Sequence, residues 1–129
     1  MCRKKILLVD DSTVILMMEK YILRNGPYIL LAASNGEEAV ELAISEQPDL
    51  IVLDASMPHM SGFEACRRIS ADEASKHIPI ILVTTPGEDG SGDGTETSGC
   101  IDTLSKPIKA GELLAKVRTL LDDGEAGAE

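Results

Sequence analysis

After a short basic start the chain runs through Ile6-Leu7-Leu8-Val9, four apolar residues with no polar alternation. A strand wetted on one face alternates apolar and polar residues, whereas an unbroken run marks a strand covered on both faces of a parallel sheet. Comparable runs recur at Tyr28 to Ala33, Asp49 to Leu53, Ile78 to Val83 and Ile101 to Leu104. Between them apolar residues return at helical spacing. Val14, Met18, Tyr21 and Ile22 form one stripe, opened by Ser12 as an N-cap and closed at Asn25-Gly26. Ala39, Val40, Ala43 and Ile44 form a second, entered through Asn35-Gly36 and ended before Pro48; Phe63, Cys66 and Ile69 form a third. Leu113, Leu114, Val117, Leu120 and Leu121 form the last. Alternating strands and helices predict right-handed βαβ units, and hence an α/β fold with five parallel strands and helices on both faces. No internal repeat or coiled-coil heptad interrupts this pattern.

One connection breaks the rule. Pro86 to Gly99 reads PGEDGSGDGTETSG, where the alternation calls for a helix. Each interior glycine costs a helix roughly 1 kcal/mol relative to alanine, so Gly87, Gly90, Gly92 and Gly94 together cost about 4 kcal/mol. No apolar stripe offsets that cost, and Asp89, Ser91 and Asp93 favour turns. The expectation is that most of Gly87 to Ser98 is not regular helix, and that the fourth helix of the series is missing or irregular.

Composition narrows the class. A chain of 129 residues suits one domain, placed at 1–123 with a small polar tail at 124–129 expected to fray. Aromatic residues are only 2%, so the core must be aliphatic. A formal net charge of −10 argues against a nucleic-acid partner, which needs a basic face. Its plain reading is a solubilising acidic surface, and its functional one is attraction to basic partners or metal ions. Cys2, Cys66 and Cys100 show neither C-x-x-C spacing nor an even disulfide framework, which fits reduced thiols in the cytoplasm. The apolar run after Lys5 is cut short by Asp10 and Asp11, too soon for a signal peptide or a membrane span. A cytoplasmic protein is expected. His59 and His77 lie outside any ligand spacing and are expected in solvent-facing loops. Met57 and Met60 read as gap-filling apolar groups.

Candidate chemistry gathers at strand ends. Asp10 and Asp11 follow the first strand, Asp54 the third, Thr84 the fourth and Lys106 the fifth. In an open α/β sheet the carboxyl ends of the strands line one crevice, where ligands bind. Singly, each residue has a plain structural explanation as a helix cap, a turn, a strand end or a solvated charge. Together on one rim they point to a site. Three carboxylates drawn together repel, so the site wants a divalent cation, and oxygen-only donors favour Mg²⁺ over zinc. A carboxylate beside that metal, with an ammonium and a hydroxyl close by, is equipped for phosphoryl transfer.

At this point the residues resemble the response-regulator receiver domain of two-component signalling, from about Lys5 to Leu121. The matching stretches are ILLVDDS, LIVLDASMPHMSG, IPIILVTT and LSKP, with the specific motif D-x-x-M-P-x-M-x-G at Asp54 to Gly62. The resemblance implies a flavodoxin-like sheet in the order 2-1-3-4-5. It implies phosphotransfer to Asp54 from the histidine of a sensor kinase or a phosphotransfer protein. It further implies Mg²⁺ held by Asp10, Asp11, Asp54 and the main-chain carbonyl of Ser56, with Thr84 and Lys106 as partners of the phosphoryl oxygens and a cis Lys106-Pro107 peptide. Such a domain assists its own phosphorylation and dephosphorylation without being an enzyme that turns over. No DNA-binding or catalytic segment is recognisable after Leu121, so output by protein–protein contact with a downstream protein is expected.

The chain also departs from the family's pattern. Thr103 stands three before the lysine, where Tyr or Phe is usual, and is too small to fill the same space. Thr85 replaces a common alanine, and Ile108 replaces a common Phe. Two other readings use the same residues. A haloacid-dehalogenase-type phosphatase also uses Asp, Mg²⁺, Thr and Lys, but its nucleophile ends the first strand in a D-x-D arrangement, and here Ser12 fills the second acidic position. A receiver-like binding module that never takes phosphate is the other. A flavin-binding version of the fold lacks aromatics for stacking, with only Tyr21, Tyr28 and Phe63 available.

Overall fold

The computed structural model describes residues 3–85 and 102–126. In chain order the elements are β1 (Lys4–Val9), α1 (Thr13–Leu23), β2 (Tyr28–Ala33), α2 (Gly36–Glu46), β3 (Leu50–Asp54), α3 (Gly62–Ala71), β4 (Ile80–Thr84), β5 (Asp102–Ser105) and α4 (Ala110–Ala126). All neighbouring strands run parallel, in the order β2-β1-β3-β4-β5. The chain therefore starts near the middle of the sheet, winds to one edge, and returns past β1 to build the other.

The unbroken apolar runs are explained by burial on both faces. Leu7 and Val9 of β1 join Ile51, Leu53, Ile80 and Leu82 in one cluster, closed by Ala39, Ala43, Ala65, Cys66 and Ile69 of α2 and α3. The alternate residues Ile6 and Leu8 join Leu50, Val52, Ile81, Val83 and Leu104 in the other, closed by Leu23 of α1 and Leu113, Val117 and Leu121 of α4. Small residues on α2 and α3 let those helices sit close to the sheet. Met57 and Met60 are buried in the first cluster, and His59 and His77 are exposed, as expected. Three helices start on side-chain caps facing the carboxyl edge of the sheet. Ser12 accepts from the Ile15 N–H, Asn35 from the Glu38 N–H and Ser61 from the Glu64 N–H.

Two expectations need correcting. The stripe of Val14, Met18, Tyr21 and Ile22 expected on α1 is not its buried face, since Val14 is 72% and Tyr21 64% exposed. The side turned inward carries Leu16, Glu19, Ile22 and Leu23. The helix reads TVILMMEKYIL, apolar nearly all round, so spacing alone does not choose its buried side. Similarly, Ile44 of α2 is 37% exposed, while Leu42 packs against the core. The glycine-rich stretch Gly87 to Ser98, and with it the expectation about a fourth helix, lies outside the described residues. Among the described residues no helix is long and apolar enough to cross a membrane.

Candidate functional site

Because the strands are parallel and in register, their carboxyl ends fall on one edge of the sheet. Asp10 and Asp11 follow β1, Asp54 ends β3, Thr84 ends β4, and Lys106 follows β5. Asp10 and Asp54 are each only 2% exposed, Thr84 is buried at 7%, and Asp11 faces water. Carboxylate oxygens from Asp10, Asp11 and Asp54 lie within 4.8 Å of one another. Lys106 Nζ lies 3.0 Å from Asp54 Oδ1. The structure thus brings together the carboxylates of Asp10, Asp11 and Asp54 and the ammonium of Lys106, with Thr84 at the end of the strand between β3 and β5.

Backbone contacts hold these groups in place. The Lys106 N–H donates to the Thr84 carbonyl at 2.7 Å, extending the β4–β5 ladder to the lysine. The Lys106–Pro107 peptide is cis, as the resemblance implied. The Ser12 N–H donates to Asp10 Oδ1 at 2.9 Å, and the Ser56 N–H reaches Asp54 Oδ1 at 3.4 Å. The turn after β3 is closed by the Gly62 N–H on the Ala55 carbonyl at 2.9 Å. A Cβ on Gly62 would strike the Asp54 carbonyl oxygen and approach Ala55 Cα to 2.7 Å, so this position of the motif requires glycine.

Burial dominates the electrostatics. It pushes the Asp10 carboxyl up to about 6; the charges of Asp54 and Asp11 add to the shift, while the Ser12 N–H and Lys106 oppose it. Asp54 is raised by burial and pulled back chiefly by Lys106, its hydrogen-bonded cation. Crowded acids of this kind fit a hard divalent cation, since the donors are all oxygen and close enough to converge on one ion.

Glu19 is the group that sequence reasoning missed. It is 2% exposed, its Oε1 has no hydrogen-bond partner among the described residues, and burial pushes its carboxyl up to about 8. Helical spacing gave no signal for it, because Val14, Met18 and Tyr21 keep as regular a spacing on another side of α1 as Leu16, Glu19 and Leu23 do.

Comparison with known proteins agrees with this geometry. The family model for the response regulator receiver domain matches residues 6–118. The chain belongs to the response regulator receiver domain family. It is a receiver domain of two-component signalling, a phosphorylation-dependent signalling module. It is 33% identical to the protein PilH of Pseudomonas aeruginosa, covering 91% of this chain and 97% of that one. It is 35% identical to the alkaline phosphatase synthesis transcriptional regulatory protein PhoP of Bacillus subtilis over 97% of this chain. There it spans only 51% of the relative, so the chain covers about half the length of that longer protein. Among solved structures it resembles the receiver domain of a sensor histidine kinase of Pseudomonas aeruginosa, with a TM-score of 0.82 at 30% identity, covering 92% of this chain and 98% of that one. That structure has a magnesium ion coordinated in its active-site cleft. Family membership sets aside the phosphatase alternative, consistent with an acceptor candidate that ends β3 rather than β1.

Proposed function

We propose that Asp54 accepts a phosphoryl group from a phosphohistidine on a sensor kinase or phosphotransfer protein. An Asp54 carboxylate oxygen attacks phosphorus; a P–O bond forms as the P–N bond of the donor imidazole breaks, and the imidazole nitrogen keeps the electron pair. The observation that carries this reading is the Lys106–Asp54 pair at 3.0 Å beside the acidic cluster. An ammonium there keeps the buried carboxylate ionised as a nucleophile and stands ready for charge on the transferred oxygens. Thr84, at the end of the strand between them, is the neighbouring hydroxyl for a second oxygen.

The carboxylates of Asp10, Asp11 and Asp54, with the main-chain carbonyl of Ser56, would hold Mg²⁺. When bound, that ion supplies positive charge against the phosphoryl oxygens. The domain carries out single phosphorylation and loss, without steady turnover of phosphomonoesters. Contacts with partners follow from α1, where Val14, Met17 and Tyr21 are exposed large apolar residues. Beside them Ile15, Met18, Thr85, Lys106, Pro107 and Ile108 line a groove of about 550 Å³ that reaches the site lysine. An apolar face next to the acceptor suits a protein partner that must approach Asp54.

Intact mass after treatment with acetyl phosphate and Mg²⁺ tests the reading. Wild type should gain one phosphoryl mass and Asp54→Asn none. Equal labelling of the variant would remove Asp54 as acceptor, and no labelling of wild type would favour the unphosphorylated binding module.

A further inference from the structure

Glu19 stands outside the three-carboxylate cluster, on the buried side of α1, the helix that starts at Thr13 just after Asp10 and Asp11. Its carboxyl is enclosed, with Oε1 unpartnered among the described residues. Leaving a polar atom of a core helix in that condition costs stability, and a leucine in its place would complete the apolar cluster that Leu16, Ile22 and Leu23 form with Leu113, Val117 and Leu121 of α4. The charged groups that act on it come from three other elements: Asp10 at the end of β1, Asp54 at the end of β3 and Lys106 after β5. Two of these are acids of the site and the third is the cation paired with Asp54. A carboxylate buried there acts through protein rather than water, so its field on the site is poorly screened.

We propose that Glu19 is a positioning residue for the cation site: neutral while the acidic cluster holds no metal, it loses its proton when a divalent cation binds, and its buried charge then tightens that binding without contacting the ion. The inference rests on reading Asp10, Asp11 and Asp54 as a cation site. In the linked step the Glu19 O–H breaks, the carboxylate keeps the electron pair, and the proton goes to the buffer. Linkage is reciprocal, so affinity rises with pH until Glu19 is ionised in both states. Without a cation, burial and the neighbouring acids hold the Glu19 carboxyl up at about 8, which places the effect above the range where Asp10 titrates.

The test is calorimetric titration with MgCl₂ at several pH values on wild type, Glu19→Gln and Glu19→Leu, each first checked for a cooperative melt. Glutamine keeps the shape and leucine keeps the core, while both remove the charge. Wild type should bind Mg²⁺ roughly tenfold more tightly at about pH 9 than at about pH 7, with proton release seen as a dependence of the heat on buffer. Both variants should change less than about twofold over the same range. The same pH dependence in the variants as in wild type overturns the role of Glu19 and leaves the cation site standing. Failure of wild type to bind Mg²⁺ at any pH overturns the cation site, and this inference with it.

Discussion

Lys106 and Asp54 meet at 3.0 Å although they belong to β5 and β3, with β4 lying between those strands. The lysine reaches over the end of β4, where its own N–H is anchored on the Thr84 carbonyl. The Lys106 side chain is 25% exposed, whereas the Asp54 side chain is 2% exposed, so the pair joins a cation from the rim to an interior anion.

Removing the cation should therefore cost more than an ordinary surface pair. Lys106→Met leaves Asp54 buried without its hydrogen-bonded partner, and a destabilisation on the order of 1–3 kcal/mol at neutral pH is expected from denaturant melts. Labelling by acetyl phosphate should slow by roughly an order of magnitude or more. Arginine should restore stability better than labelling, because its planar fork does not reproduce a point charge at that place. A Lys106→Met protein with wild-type stability and wild-type labelling rate contradicts the pairing as described.

The legibility of this site in the sequence has a physical basis. Parallel strands put all their carboxyl ends on one edge, so a polar residue directly after an apolar run is located in space by its place in the chain. Asp10, Asp54, Thr84 and Lys106 were readable for that reason, and the sheet order followed from the motif at Asp54 to Gly62 rather than from periodicity. Strand limits shifted by a residue or two, as with Ile80–Thr84 against an expected Ile78 to Val83, because flanking apolar residues such as Ile78 are buried without joining the ladder. The orientation of α1 was not readable from hydrophobicity, since Val14, Met17 and Tyr21 stay exposed while Glu19 goes inside.

The α1 orientation predicts opposite outcomes for residues of similar chemistry. Leu23, fully buried between helix and sheet, should cost about 2–5 kcal/mol when cut to alanine. Val14→Ala, at an exposed position, should change stability by no more than about 0.5 kcal/mol. Urea unfolding of the two variants decides between the observed face and the stripe expected from Val14 and Tyr21. Equal losses would place Val14 in the core.

Two glycines should respond to alanine with opposite signs. Gly62 has backbone where the new methyl would go, the Asp54 carbonyl and Ala55 Cα, and neither can move without shifting the end of β3. Gly62→Ala should destabilise by about 1–3 kcal/mol and slow labelling of Asp54. Gly111 lies in α4 with nothing within 4 Å of an added Cβ. Gly111→Ala should stabilise by about 0.5–1 kcal/mol through helix propensity and leave labelling unchanged. Thermal melts and intact mass check both, and a neutral Gly62→Ala would show that the β3–α3 turn has slack the close contacts do not suggest.

Divalent cations and protons should stabilise this fold through the same acids. Burial raises the carboxyls of Asp10, Glu19 and Asp54, to about 6 for the first and about 8 for the second. An acid whose folded value lies above its unfolded value binds its proton more tightly when folded. Its contribution is complete below the unfolded carboxyl value of about 4 and is lost as the pH rises through the folded one. Without metal, the protein should melt lower at about pH 8 than at about pH 5.5, by roughly 4–8 °C for each 1 kcal/mol lost. Asp102 is shifted the other way by its hydrogen bond from Lys116, so its contribution fades only as the pH falls towards the ordinary carboxyl range, below the window compared. Millimolar Mg²⁺ offsets the crowded charge, and its stabilising increment should be larger at the higher pH, where there is more charge to neutralise. Asp11→Asn should shrink that increment while moving the metal-free melt little, because Asp11 is the exposed member of the cluster. Melts at constant ionic strength, with EDTA or with MgCl₂, give all these quantities in one series. A metal-free melting temperature that climbs between the two pH values, or an increment from Mg²⁺ that is greater at the acid end, would contradict the assignment of buried, proton-binding carboxyls to this site.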